Sequence, residues 1–175
     1  MAPLLLLLAL CGTLRATTLV RYDLEGLTRN AACVLVATCR ASSALLVDGQ
    51  PHTRCTFEVA EVVKGQAGAR LEICLPGGDF QGMRLHLAGM PEFTPGEEVV
   101  LFLTEPDGRG SPWPVGLGQG KFRVERNPAA KARVFQDTGE VRLLGAPGEA
   151  LDGMELEELL ARVRRIAGQG APDGH

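Results

Sequence analysis

Downstream of Cys11, the residues whose types could carry chemistry are Cys33, Cys39, Cys55 and Cys74, the histidines His52, His86 and His175, and the adjacent acids Glu97 and Glu98. The cysteines follow one another at spacings of 6, 16 and 19, without the C-x-x-C clip of a zinc site, so no metal is expected. Cys39 and Cys55 are roughly symmetric about a loop near Val47, which allows a cross-strand disulfide; Cys33 with Cys74 is a weaker second pair. The alternative is four small buried hydrophobes. A Ser-His-Asp site would have to use His52 or His86, yet Ser42, Ser43 and Ser111 lie in ordinary loop contexts rather than a G-x-S-x-G elbow. Both histidines read as solvated surface residues, and His175 lies in the tail. Glu97 and Glu98 adjoin each other at a strand entry and so point to opposite faces, which keeps them from converging on one atom as acid and base. Gly116–Lys121 (GLGQGK) has neither dinucleotide nor P-loop spacing, and glycines in a curved strand explain it better. No catalytic residue and no cofactor are assigned. The candidate ligand-binding residues are Phe80, Phe93 and Trp113, aromatics on long loops that either anchor a partner or cap the core.

The elements that must position these residues are mostly strands. Asp23–Ala31 predicts a short helix capped by Asp23, with Leu24, Leu27 and Ala31 on one face. Cys33–Arg40 predicts a strand, with a loop running from Ser42 and Ser43 to Asp48–Pro51. In His52–Lys64, Cys55, Phe57, Val59, Glu61 and Val63 alternate with Arg54, Thr56, Glu58, Ala60 and Val62, and the first set, being largely apolar, should face the core. Arg70–Leu75 is the next strand, and Met83, Leu85 and Leu87 alternate with Arg84 and His86. Val99–Leu103 has no polar break, as expected of a strand covered on both faces. Val115–Glu125 predicts a strand or pair bent at its glycines, and Ala132–Gln136 with Glu140–Leu144 predicts a hairpin around Asp137–Gly139. Asp152 and Glu155 form a capping box ahead of the stripe Leu156, Leu159, Leu160 and Val163, predicting a helix over 152–167 ended by Gly168. The expected architecture is mainly β: a small closed or half-closed antiparallel, OB-like barrel with a short N-terminal helix and a C-terminal amphipathic helix.

Composition bounds the function. The 175 residues suit one domain, with 22 glycines and 11 prolines spread among short apolar runs. Residues 17–168 read as that domain and 169–175 as a disordered tail. The net charge of −3 disfavours nucleic-acid backbone binding, and eight aromatic side chains leave few stacking platforms. Ala2–Gly12 is an apolar run too short to span a bilayer, and it reads as the core of a signal peptide over residues 1–16. The chain is therefore expected to be exported, periplasmic or secreted. The alternative is a lipoprotein acylated at Cys11, which Leu10 disfavours because it is not small.

Several segments together resemble a group of small exported bacterial proteins with no assigned activity. They are Val34–Cys39, Val59–Gly65 (VAEVVKG), Pro76–Gly78, Gly89–Phe93 (GMPEF), Gly96–Leu103 (GEEVVLFL) and Gln119–Phe122 (QGKF). The front half is also similar in plan to the OB-like barrel of netrin and tissue-inhibitor-of-metalloproteinase domains, which implies a protein-binding role. Those inhibitors chelate zinc through an N-terminal cysteine, whereas cleavage near Ala16 would expose Thr17 here. The expectation is an exported, non-catalytic module that binds a protein or envelope ligand. An inhibitor or accessory partner of a co-exported protease is the alternative, and a hydrolase using His52 or His86 has the least support.

Overall fold

The computed structural model describes residues 18–138, 142–144 and 149–169. The leader, Cys11, Gly139–Glu140 and residues 170–175 lie outside them. In chain order the elements are β1 (Thr18–Val20), α1 (Leu24–Asn30), β2 (Cys33–Val47), β3 (Gln50–Lys64), β4 (Arg70–Pro76), β5 (Gly78–Phe80), β6 (Met83–Leu85), β7 (Glu98–Leu103), a 3-10 turn (Leu117–Gly120), β8 (Lys121–Glu125), β9 (Arg133–Gln136), β10 (Arg142–Leu144), β11 (Met154–Glu155) and α2 (Leu156–Gln169). Among the described residues, no helix is long and apolar enough to cross a membrane.

The chain is mainly β, built on one seven-stranded antiparallel sheet in the order β11-β9-β8-β7-β2-β3-β4. Among the described residues its edge strands β4 and β11 do not pair with each other, and the sheet does not close into a barrel. Two 15-residue strands, β2 and β3, form the longest hairpin. Asp48 and Gly49 make its two-residue turn at φ 49° and 75°, the left-handed conformations of a primed turn. Ser42 and Ser43, expected in a loop, are instead strand residues opposite Cys55 and Arg54. Three register shifts along β2 bend this hairpin strongly.

Strand β7 is central and buried on both faces, as its unbroken apolar run implied. Val100 and Phe102 face a core completed by Leu24 and Leu27 of α1 and Leu156, Leu159, Leu160 and Val163 of α2. Val99, Leu101 and Leu103 face a second core with Leu35, Ala37, Cys39, Cys55, Phe57, Ile73, Leu75 and Phe93. Helix α1 is short and contains Gly26, and both its ends are tied. Asp23 accepts from the Gly26 amide at 2.7 Å, and Lys64 Nζ donates to the carbonyls of Thr28 and Ala31.

Other sequence expectations are corrected. Arg142–Leu144 does not form a hairpin with β9; it pairs in parallel with β1, a contact between distant segments that local turn chemistry cannot specify. Gly118 and Gly120 belong to a 3-10 turn, with Gly116 ahead of it in the left-handed conformation at φ 62°, rather than to a bent strand. Residue Met83 is exposed, because β5 and β6 form a small hairpin of their own around Gln81 and Gly82 instead of a core-facing strand. Helix α2 starts at Leu156, since Asp152 is used elsewhere, accepting from the Gln136 amide, and Met154–Glu155 is a short strand against β9. The helix also runs through Gly168 to Gln169.

Candidate functional site

Residues 86–97 connect β6 to β7 without helix or strand and pass over the second core, into which Phe93 and Met90 pack. The Gly118 amide donates to the Gly89 carbonyl at 2.8 Å, and the Gly96 amide to the Cys39 carbonyl at 2.8 Å, fixing both ends. Between them Phe93 turns inward and is buried, its ring edge-on to Phe57. Phe93 is therefore a core residue rather than an exposed anchor.

Beside this segment, under the β5–β6 hairpin, lies a cleft of about 250 Å³. Cys55, Leu75 and Phe93 are its most deeply buried lining residues; Leu85, Leu87, Met90 and Pro91 form apolar walls, and Ser42, Thr53 and His86 add polar groups. Gly78 makes room at its edge: at φ 120°, a Cβ there would come within 2.6 Å of Thr53 Oγ1. The Thr53 hydroxyl donates to the Gly77 carbonyl at 2.8 Å and so ties β3 to the turn before β5. A partly open cleft lined by both apolar and polar groups suits the reception of a small uncharged group.

The chemistry available in the cleft is weak. The Cys55 sulfur lies 3.6 Å from Ser42 Oγ, whose hydroxyl favours ionisation by donating to the thiolate, but burial outweighs this and raises the Cys55 pKa. A thiol held protonated is a poor nucleophile. His86 is exposed and lines this cleft, whereas His52 lines a separate groove beside Trp113.

That second groove is walled by the loop Thr104–Trp113, which lies against edge strand β4. Ser111 Oγ accepts from the Cys74 amide at 2.8 Å and donates to the Cys74 carbonyl at 3.3 Å, covering part of an edge open to another strand. Asp107 organises the loop, accepting from the amides of Ser111 at 3.0 Å and Arg109 at 2.9 Å and from Trp113 Nε1 at 3.1 Å. The Ser111 and Arg109 amides, with the indole, hold its carboxyl below the usual aspartate range. Trp113 is half-buried against the second core, and Phe80 is half-buried on the β5–β6 hairpin. The three aromatics thus belong to three different features rather than one surface.

Cysteine pairing is also corrected. The described cysteines are free thiols, and no two lie at disulfide distance. The register shift between Cys39 and Ala41 sets Cys39 opposite Phe57 and Cys55 opposite Ser42. Burial also raises the Cys39 pKa, to about 11. No group of three or more His, Cys, Asp and Glu side chains converges as a metal site among the described residues.

Sequence reasoning missed Lys121. Its side chain is 4% exposed, and Nζ lies 2.9 Å from Glu97 Oε1 and 3.2 Å from Asp137 Oδ2. Strand parity was the available signal, since Phe122 and Val124 facing the helix-side core send Lys121 to the opposite face. Glu97 turns to Lys121 while Glu98 pairs with Arg126, so the two acids diverge.

No protein-family model matches the chain, and no curated protein matches it in sequence.

Proposed function

We propose that this is an exported binding module of the small exported bacterial group it resembles, built on a half-closed OB-like sheet. It takes an apolar group of a protein or envelope ligand into the cleft between the β5–β6 hairpin and Met90–Phe93. The carrying observation is the cleft itself, with Leu85, Leu87, Met90 and Pro91 around Cys55 and Leu75. The bulged β2–β3 hairpin and the core on the face away from the helices support the OB-like reading. The apolar run Ala2–Gly12 supports export. A non-catalytic role is favoured because Cys55 is held as a thiol and His52 and His86 line separate cavities.

Leu87 is partly exposed at the cleft and tolerates polarity, so Leu87→Glu keeps the fold while placing a charge at the entrance. Capture of envelope components by the native protein should be lost with this variant. Equal capture by both would remove the cleft from the reading.

A further inference from the structure

We propose that Lys121 is the positioning residue of this cleft, fixing the Met90–Phe93 wall from strand β8; the inference rests on the cleft being the binding site. The wall belongs to no sheet or helix, so its shape depends on what it is tied to. Lys121 Nζ donates to the Glu92 carbonyl at 2.5 Å and sits 4.8 Å from the centre of the Phe93 ring. It also pairs with Glu97 Oε1, while Glu97 Oε2 accepts from the Thr94 amide at 3.2 Å. One ammonium thus joins the middle of the segment, its inserted ring and the carboxylate that folds its far end back. Asp137 Oδ2 supplies a third oxygen, and the buried ammonium does not line the cleft, so it acts on the wall rather than on a ligand.

A buried charge is a costly way to fill a core, and an apolar side chain of similar size often serves stability as well. What an apolar side chain cannot do is bond the Glu92 carbonyl and the Glu97 carboxylate together. Lys121 therefore separates two jobs: Phe93 and Phe57 fill the core, while the ammonium sets the path of the chain past Met90.

The test uses the full chain with no ligand, so its outcome is independent of whether anything is captured. Lys121→Leu and Lys121→Arg are compared by amide hydrogen exchange and by the NMR signals of methyl-labelled methionine. Met83 and Met154 serve as internal references for Met90. In Lys121→Leu, exchange at Met90, Glu92, Phe93 and Thr94 should rise at least tenfold and the Met90 methyl signal should shift, with Met83, Met154 and the β7 amides unchanged. Lys121→Arg should restore part of the protection. An unchanged Met90 signal and unchanged exchange in folded Lys121→Leu overturn the proposal, as does faster exchange spread evenly over the sheet. If Lys121→Leu does not fold, Glu97→Gln decides by the same readouts: loosening confined to the wall supports the assignment, and none overturns it. A loosened wall with no effect of Leu87→Glu on capture would retain Lys121 as a positioning residue and reject the binding reading.

Discussion

The ring of Phe93 stands edge-on to that of Phe57, with centroids 5.1 Å apart and planes at 85°. A loop residue thereby plugs the core of the strands it crosses. Truncating a buried phenylalanine costs about 3–5 kcal/mol, so Phe93→Ala should lower the urea midpoint sharply. Phe80→Ala, at a half-buried hairpin position, should cost about 1 kcal/mol. Equal losses would mean that Phe93 is not the plug.

Trp113 is the only tryptophan, so its fluorescence reports the Asp107 contact directly. The Asp107 pKa is lowered in the folded state, so its contribution is present above the unfolded value near 3.8 and is lost as pH falls through the folded value. Titration should show a fluorescence change with its midpoint below about 3.8, absent in Asp107→Asn. A midpoint at or above the ordinary aspartate value would contradict the loop geometry.

With Cys39 raised to about 11 and Cys55 raised by burial, neither thiol should react with a water-soluble aromatic disulfide at pH 8 in the native protein. The half-buried Cys74 and Cys33 should react first, and denaturant should release Cys39 and Cys55. Mass spectrometry of the labelled peptides gives the order. Early labelling of Cys55 would show that the cleft opens readily to its floor.

A Cβ on Gly118 would lie 2.0 Å from the Asp137 carbonyl oxygen, whereas one on Gly49 meets nothing within 4 Å. Gly49→Ala should therefore cost only the strain of its positive φ, about 1 kcal/mol. Gly118→Ala should cost more, about 2 kcal/mol or above, because backbone must move. It should also speed exchange in the Gly89–Phe93 segment, which the Gly118 amide holds. Chemical denaturation ranks the two.

These positions also separate what the chain declares locally from what only its fold decides. The unbroken run Val99–Leu103, the alternation Cys55, Phe57, Val59 and the stripe of α2 were readable because each records its surroundings in a period of two or near four. The β3 alternation does not continue through Glu61 and Val63 as expected, because the register shifts against β2 break it, leaving Glu61 exposed beside Arg164 and turning Val63 to the helix-side core. The Asp48–Gly49 turn was visible too, but Ser42 and Ser43 drew the expected loop six residues too far back. Small polar residues on a long hairpin arm look like a loop in sequence. The parallel pairing of β10 with β1, the use of Asp152 by Gln136 and the burial of Lys121 all depend on partners far along the chain, and no periodicity encodes them. Of the candidate site, Phe93 was singled out in advance as a binding aromatic and Cys55 and His86 for other chemistry, while Met90, Leu75 and Leu87 converge only once the connecting segment is folded across the sheet.

The most direct measurement places a benzophenone side chain at Leu87, on the cleft, and separately at Val62, an exposed β3 residue, in the full chain expressed in its native cells. Irradiation should give a discrete adduct from position 87, lost when Met90→Glu puts a charge in the cleft, and none from position 62. Identical adducts from both positions, or an adduct at 87 indifferent to Met90→Glu, would contradict binding through the cleft.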